Sequence, residues 1–120
     1  MTDTATTAST RLGLRPGVVT GADYRRLVET CRDEGYALPA VNVVGTDSIN
    51  AVLEAAARNR ADVIIQLSNG GARFYAGEGM PDAAQARVLG AVAAARHVHT
   101  VAAAYGVCVI LNTDHADRKL

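Results

Sequence analysis

Val107-Cys108-Val109-Ile110-Leu111-Asn112-Thr113-Asp114-His115 is the stretch on which the fold turns. Five aliphatic or thiol side chains in a row give way abruptly to Asn, Thr, Asp and His. A continuous apolar run of this length suits a strand covered on both faces, as in a parallel sheet. An acid and an imidazole at its far end stand where α/β proteins place their chemistry.

Working outward, the neighbouring segments alternate between helical and extended patterns. Ahead of the run, residues 83–105 are helical, with Val88, Val92, Val98, Val101, Ala102 and Tyr105 as spaced apolar positions and Gly106 as the stop. Before that, Asn69 to Asp82 holds four glycines and Pro81 and predicts a long irregular loop. Asp62 to Ser68 is a second strand. Asp47 is the expected N-cap of a helix whose stripe is Ile49, Val52, Leu53 and Ala56. Pro39 to Val44 is the first strand, since Pro is tolerated at a strand's first residue. A leading helix starts at Thr20-Gly-Ala-Asp23, carries a stripe of Tyr24, Leu27, Val28 and Cys31, and ends at Gly35. Residues 1–19 predict a flexible tail, and residues 20–120 one α/β domain. Strands separated by helices imply a parallel sheet, either open and doubly wound or part of a (β/α)₈ barrel.

Bulk properties narrow the function. The formal net charge is +0 over 120 residues, with no basic face, which argues against nucleic acid or a membrane surface as partner. No run approaches the ~20 apolar residues of a membrane span. Cys31 and Cys108 lie inside a helical and a strand pattern, so both are expected as reduced core thiols of a cytoplasmic protein.

All three strands end in polar groups: Asn42; Gln66 and Ser68; Asn112, Asp114 and His115. A shared site at the C-terminal edge of the sheet follows. Asp114 is the candidate general acid/base and His115 the candidate metal ligand through a neutral ring nitrogen. Adjacent strand residues face opposite ways, so both serve one site only if the chain curls out at Thr113. Otherwise Asp114 caps the next helix and His115 is a plain loop residue. Ser68-Asn69-Gly70-Gly71 offers backbone N–H groups and a hydroxyl to a phosphate, although an ordinary turn has the same composition. His97 and His99 are two apart on a helix and face different directions, which favours packing or solvation over chelation. No Cys-x-x-Cys or His-Glu-x-x-His motif is present, so a complete local zinc site is absent.

Several stretches then carry a resemblance: Leu38-Pro-Ala-Val-Asn42, Ser48-Ile-Asn-Ala-Val-Leu-Glu-Ala-Ala56, Ile64-Ile-Gln-Leu-Ser-Asn-Gly-Gly71, Leu89-Gly-Ala91, His97-Val-His99 and Thr113-Asp-His115. Their order and spacing resemble the N-terminal third of class II, metal-dependent fructose-bisphosphate aldolases. Ser-Asn-Gly-Gly looks more like the fructose- than the tagatose-bisphosphate group, which stays the alternative. The resemblance implies a partial (β/α)₈ TIM barrel: a leading helix, then the first three parallel strands and their helices. It also implies a lyase of glycolysis and gluconeogenesis, reversibly cleaving fructose 1,6-bisphosphate to dihydroxyacetone phosphate and glyceraldehyde 3-phosphate.

By position, Asp114 would be the catalytic acid/base, His115 one of three zinc ligands, Ser68 a phosphate contact and Asn42 a substrate-positioning residue. The family usually has His where this chain has Asn112, and Cys where it has Ala116. A TIM barrel needs ~250 residues, so 120 residues are expected to be an inactive fragment of a homodimeric parent. The remaining zinc ligands are expected beyond residue 120. The competing expectation is a non-catalytic binding or assembly module that pairs with a separately encoded remainder.

Overall fold

The structure, a computed structural model, describes residues 7–116. Its elements run α1 (Ala8–Arg11), β1 (Gly17–Val18), α2 (Gly21–Glu34), β2 (Ala40–Asn42), α3 (Thr46–Arg58), β3 (Val63–Ser68), α4 (Asn69–Ala76), α5 (Ala83–Val101), a 3₁₀ turn (Ala102–Tyr105) and β4 (Cys108–Asp114). The strands form one sheet in the order β1-β4-β3-β2. Every pairing is parallel, as helices between strands require.

Two layers of core meet on this sheet. On one face, Val63, Ile65 and Leu67 of β3 and Val109 of β4 pack with Ile49 and Leu53 of α3 and Val98 of α5. On the other, Leu27 and Cys31 of α2 cover Cys108 and Ile110, with Ala8 and Val19 beside them. That second cover is short, and it explains the pattern of the opening stretch. Cys108, Val109 and Ile110 are all buried, because both faces of β4 are covered there. From Leu111 onward α2 no longer reaches, and Asn112 and Thr113 are exposed. The switch from apolar to polar sequence therefore marks where one face of the sheet opens.

Glycine stops both α2 and the 3₁₀ turn. Gly35 and Gly106 adopt φ of 77° and 75°, the left-handed conformation that an L side chain disfavours.

Five local expectations need correction. Residues 1–6 lie outside the described residues, but from Ala8 the supposed tail is structured. Ala8 and Ser9 are buried in α1, and Gly17 and Val19 donate backbone hydrogen bonds to Val107 and Val109. The Thr/Ala-rich composition hid this, because the partners lie far along the chain.

The second correction is the loop after β3: its first eight residues are α4. The Ser68 hydroxyl accepts from Gly71 N–H at 3.0 Å and caps the helix, so the glycines sit in its first turn and do not break it. Third, α3 is capped by Ser48, whose Oγ accepts from Val44 and Gly45 N–H; Asp47 only accepts from Ser48 N–H. Fourth, the buried stripe of α5 is Ala86, Gly90, Ala94 and Val98, while Val88 and Val92 are exposed. Small residues line it because α4 crosses there closely: a Cβ on Gly90 would lie 1.7 Å from the Ala72 carbonyl oxygen. Fifth, α2 buries Leu27 and Cys31, but Tyr24 and Val28 stay exposed, and Thr20 makes no side-chain cap.

Both cysteines are buried and unpaired. The Cys108 thiol donates to the Arg15 carbonyl, and burial pushes its pKa above the ordinary value. It is a core residue, protonated at neutral pH.

One buried polar contact anchors the N-terminal segment. Asp62 is 4% exposed and receives Ser9 N–H at 3.1 Å and the Ser9 hydroxyl, across 53 residues. Asp62→Ala would remove the acceptor of the buried Ser9 N–H and leave the Ser9 hydroxyl with Thr7 Oγ1, 2.9 Å away. The expected cost is ~1–3 kcal/mol, read from the midpoint of urea unfolding. Asp62→Asn keeps one acceptor and should cost less; equal stability of all three proteins would show that the contact contributes nothing.

Candidate active site at the strand ends

Parallel register brings the polar residues of the three long strands side by side. Asn42 pairs in register with Gln66, and Gln66 with Asn112; one pleat further on, Ser68 pairs with Asp114. Because side chains alternate along a strand, Asn42, Gln66, Asn112 and Asp114 share the face carrying Ile64 and Ile110. This is the face that α2 leaves open at the C-terminal end.

The four side chains are joined by hydrogen bonds. Asn112 Nδ2 donates to Gln66 Oε1 at 3.0 Å. Gln66 Nε2 donates to Asn42 Oδ1 at 2.9 Å, and Asn42 Nδ2 donates to Asp114 Oδ2 at 3.1 Å. Asp114 therefore does not cap a helix among the described residues; its carboxylate is tied to a strand two positions away in the sheet.

The expected turn comes two residues later than anticipated. The strand runs on through Asp114, and His115 takes φ 53°. That left-handed residue swings its ring back, so Nε2 stands 3.5 Å from Asp114 Oδ1. The ring is 97% exposed and the Asp114 side chain 28%. Acid and imidazole do meet, through the turn at His115 and not through a curl at Thr113.

Ser68 sits at the end of β3, where it serves as the N-cap of α4. Its oxygen accepts the Gly71 N–H, so its own proton is the group it has left to offer. His97 is held away from this edge, with Nε2 2.8 Å from Asn50 Oδ1 between α5 and α3, and His99 is exposed. Neither belongs to the site.

Sequence reasoning noted Gln66 and Asn112 as polar strand ends without giving them a role. The signal was present for Asn112, which lies two residues before the candidate acid/base on the same strand and so shares its face; Gln66 joins them only through its register with Asn112. What was missing was the strand pairing.

Among the described residues, no group of three or more His, Cys, Asp or Glu is placed to hold a metal ion. A catalytic zinc site takes three protein ligands, so the strand ends, which offer the single imidazole of His115, do not hold the ion by themselves. No helix of the described residues is long and apolar enough to cross a membrane.

Comparison with known proteins gives the same outline. A family model described as class-II fructose-bisphosphate aldolase matches residues 22–119. The fructose-bisphosphate aldolase of Campylobacter jejuni is 57% identical over 107 residues, covering 89% of this chain and 29% of the relative. The class 2 enzyme of Escherichia coli K12 is 55% identical over 109 residues, covering 89% and 30%. The crystal structure of the Campylobacter jejuni aldolase superposes with a TM-score of 0.82, over 89% of this chain and 30% of that one. The chain thus spans about 30% of the length of these relatives, at their N-terminal end, and its parallel sheet corresponds to part of a TIM barrel. With a family model over most of its length, and strand ends that bring an acid beside an imidazole, the chain belongs to the class-II fructose-bisphosphate aldolase family.

Proposed function

We propose that residues 1–120 supply the opening part of the active site of a zinc-dependent aldolase. That enzyme would reversibly cleave fructose 1,6-bisphosphate to dihydroxyacetone phosphate and glyceraldehyde 3-phosphate, in the cytoplasm. The observation that carries this reading is the Asp114 carboxylate, fixed at the end of β4 by Asn42 and standing beside His115.

Asp114 accepts the proton of the hydroxyl next to the carbon–carbon bond to be broken. The oxygen's electrons then form the new aldehyde carbonyl, and the electron pair of the broken bond passes to the dihydroxyacetone half. In the reverse direction Asp114 returns the proton. His115 would be one of three ligands to the zinc, the others coming from outside the described residues, and the ion would supply Lewis-acid polarisation of the ketone. Asn42 positions the substrate. Ser68 donates its hydroxyl proton to a substrate phosphate beside the N-terminal amides of α4, where the helix dipole also favours an anion.

The test is a graft. Residues 22–116 replace the matching segment of the Campylobacter jejuni aldolase, and cleavage is followed by trapping the triose phosphates. Activity that disappears with a chelator and returns with zinc is expected. A folded but inactive graft would overturn the proposal. Residues 1–120 alone, with zinc and substrate, should show no cleavage above background.

A second reading has one observation behind it. Among the described residues β2 has an unpaired edge and β1 covers β4 only at Cys108 and Val109, so the sheet can be extended on both sides. A non-catalytic module pairing with a separate chain that carries the rest of the barrel would use those edges. Co-expression with the remaining part of the Campylobacter jejuni aldolase separates the two readings: a stable complex without activity would favour the module.

A further inference from the structure

The hydrogen bonds along the strand ends can run in only one direction. An ionised carboxylate accepts and never donates, so Asn42 must turn its NH₂ toward Asp114, as the 3.1 Å contact from Nδ2 to Oδ2 has it. That leaves Asn42 Oδ1 on the other side, and only a donor can meet it there. Gln66 therefore presents Nε2, at 2.9 Å. Its Oε1 is then turned to the third strand, and the residue at position 112 must also donate, as Asn112 Nδ2 does at 3.0 Å. Each amide by itself has two orientations of nearly equal shape. The charge at one end and the donor at the other choose one of them for the whole row.

We infer that Asn112 is a positioning residue. Its N–H locks the Gln66 amide and, through it, the Asn42 amide in the orientation that offers an N–H to Asp114. This goes beyond Asp114 as acid/base, and its bearing on the reaction rests on that reading. The requirement at position 112 is for donor chemistry and not for one side chain. Histidine there, protonated on the nitrogen facing Gln66, satisfies it. An aspartate does not: it would draw Gln66 Nε2 to itself, leave Oε1 facing Asn42, and force Asn42 to turn an oxygen toward Asp114.

The experiment is NMR on isotopically labelled residues 1–120, reading the side-chain NH₂ groups of Asn42 and Gln66. In the unmodified chain, the Asn42 NH₂ protons should show a nuclear Overhauser contact to Asp114 Hβ, and the Gln66 NH₂ protons one to Asn42 Hβ. The opposite orientation, with Gln66 NH₂ contacting Asn112 Hβ, would overturn the inference without any variant being made. Asn112→Ala should speed water exchange of the Asn42 and Gln66 amide protons several-fold. Asn112→His should restore slow exchange, and Asn112→Asp should move the Asn42 NH₂ signals furthest. Unchanged Asn42 signals in Asn112→Asp, with the backbone spectrum intact, would also overturn it.

The relay is read here without turnover, and the graft reads turnover without NMR. An inactive graft with a correctly oriented row would sink the aldolase assignment alone. An active graft with an inverted row would sink the relay alone.

Discussion

Asp114→Asn in the grafted aldolase is expected to lower kcat by about 10²–10⁴-fold, the usual contribution of a positioned general acid/base, with KM changed far less. The substitution is chosen for what it preserves. Asparagine has nearly the shape of aspartate, and its side-chain oxygen can still accept from Asn42 Nδ2, so the row from Asn112 to Asn42 keeps its direction. The turn at His115 is a backbone feature and is not touched. What disappears is the ability to take a proton, so the loss should fall on the chemical step. Steady-state kinetics at saturating zinc measure it. A fall in affinity with kcat intact would make Asp114 a binding group, and an unaltered enzyme would remove it from the mechanism.

The legibility of this molecule followed the range of the interactions. The β4 strand, its polar end, and the glycine stops at Gly35 and Gly106 are local matters, and local sequence states them. Even the length of the apolar run had structural content, because it measures how far α2 covers the second face of β4. Asp114 and His115 were legible as a pair for the same reason. The order Asn112–Gln66–Asn42–Asp114 was not, since it depends on register between strands separated by up to 72 residues.

The N-terminal segment shows the same limit. Thr7 to Arg11 looks like a tail, and nothing nearby reveals that Asp62 will bury Ser9. β1 is two residues long, and only its pairing with β4 makes it a strand. At α4 the difficulty was different. Glycine and asparagine argue for a loop on propensity, but Ser68 caps the helix and tertiary contact with α5 holds it. That contact requires the absence of a side chain at Gly90, and on its other side α4 sets Gly71 against the Val43 carbonyl and Ser68 Oγ, where a Cβ would lie 3.2 and 3.3 Å away.

Gly90→Ala sets these two kinds of information against each other. Gly90 lies inside α5, and propensity alone says that alanine should stabilise the helix by ~1 kcal/mol. Packing says otherwise. The added methyl would stand 1.7 Å from the Ala72 carbonyl oxygen and 2.6 Å from its carbon, both backbone atoms of α4. No rotamer relieves a Cβ, so one helix must move. Overpacking of this kind costs typically ~1–3 kcal/mol and occasionally more, which exceeds the propensity gain and fixes the sign. The melting temperature should drop by ~4–8 °C for each net kcal/mol. Gly79→Ala is the control, because nothing lies within 4 Å of its added Cβ and its φ carries no left-handed penalty; it should be close to neutral. The displacement has a functional consequence as well. α4 begins at the Ser68 cap, so pushing Ala72 away from α5 moves the Gly71 N–H that Ser68 holds. In the grafted aldolase the surviving folded Gly90→Ala protein should therefore bind substrate more weakly, while the donor row on β2, β3 and β4 stays in place. A Gly90→Ala protein as stable as its parent would show that the two helices do not cross as closely as described.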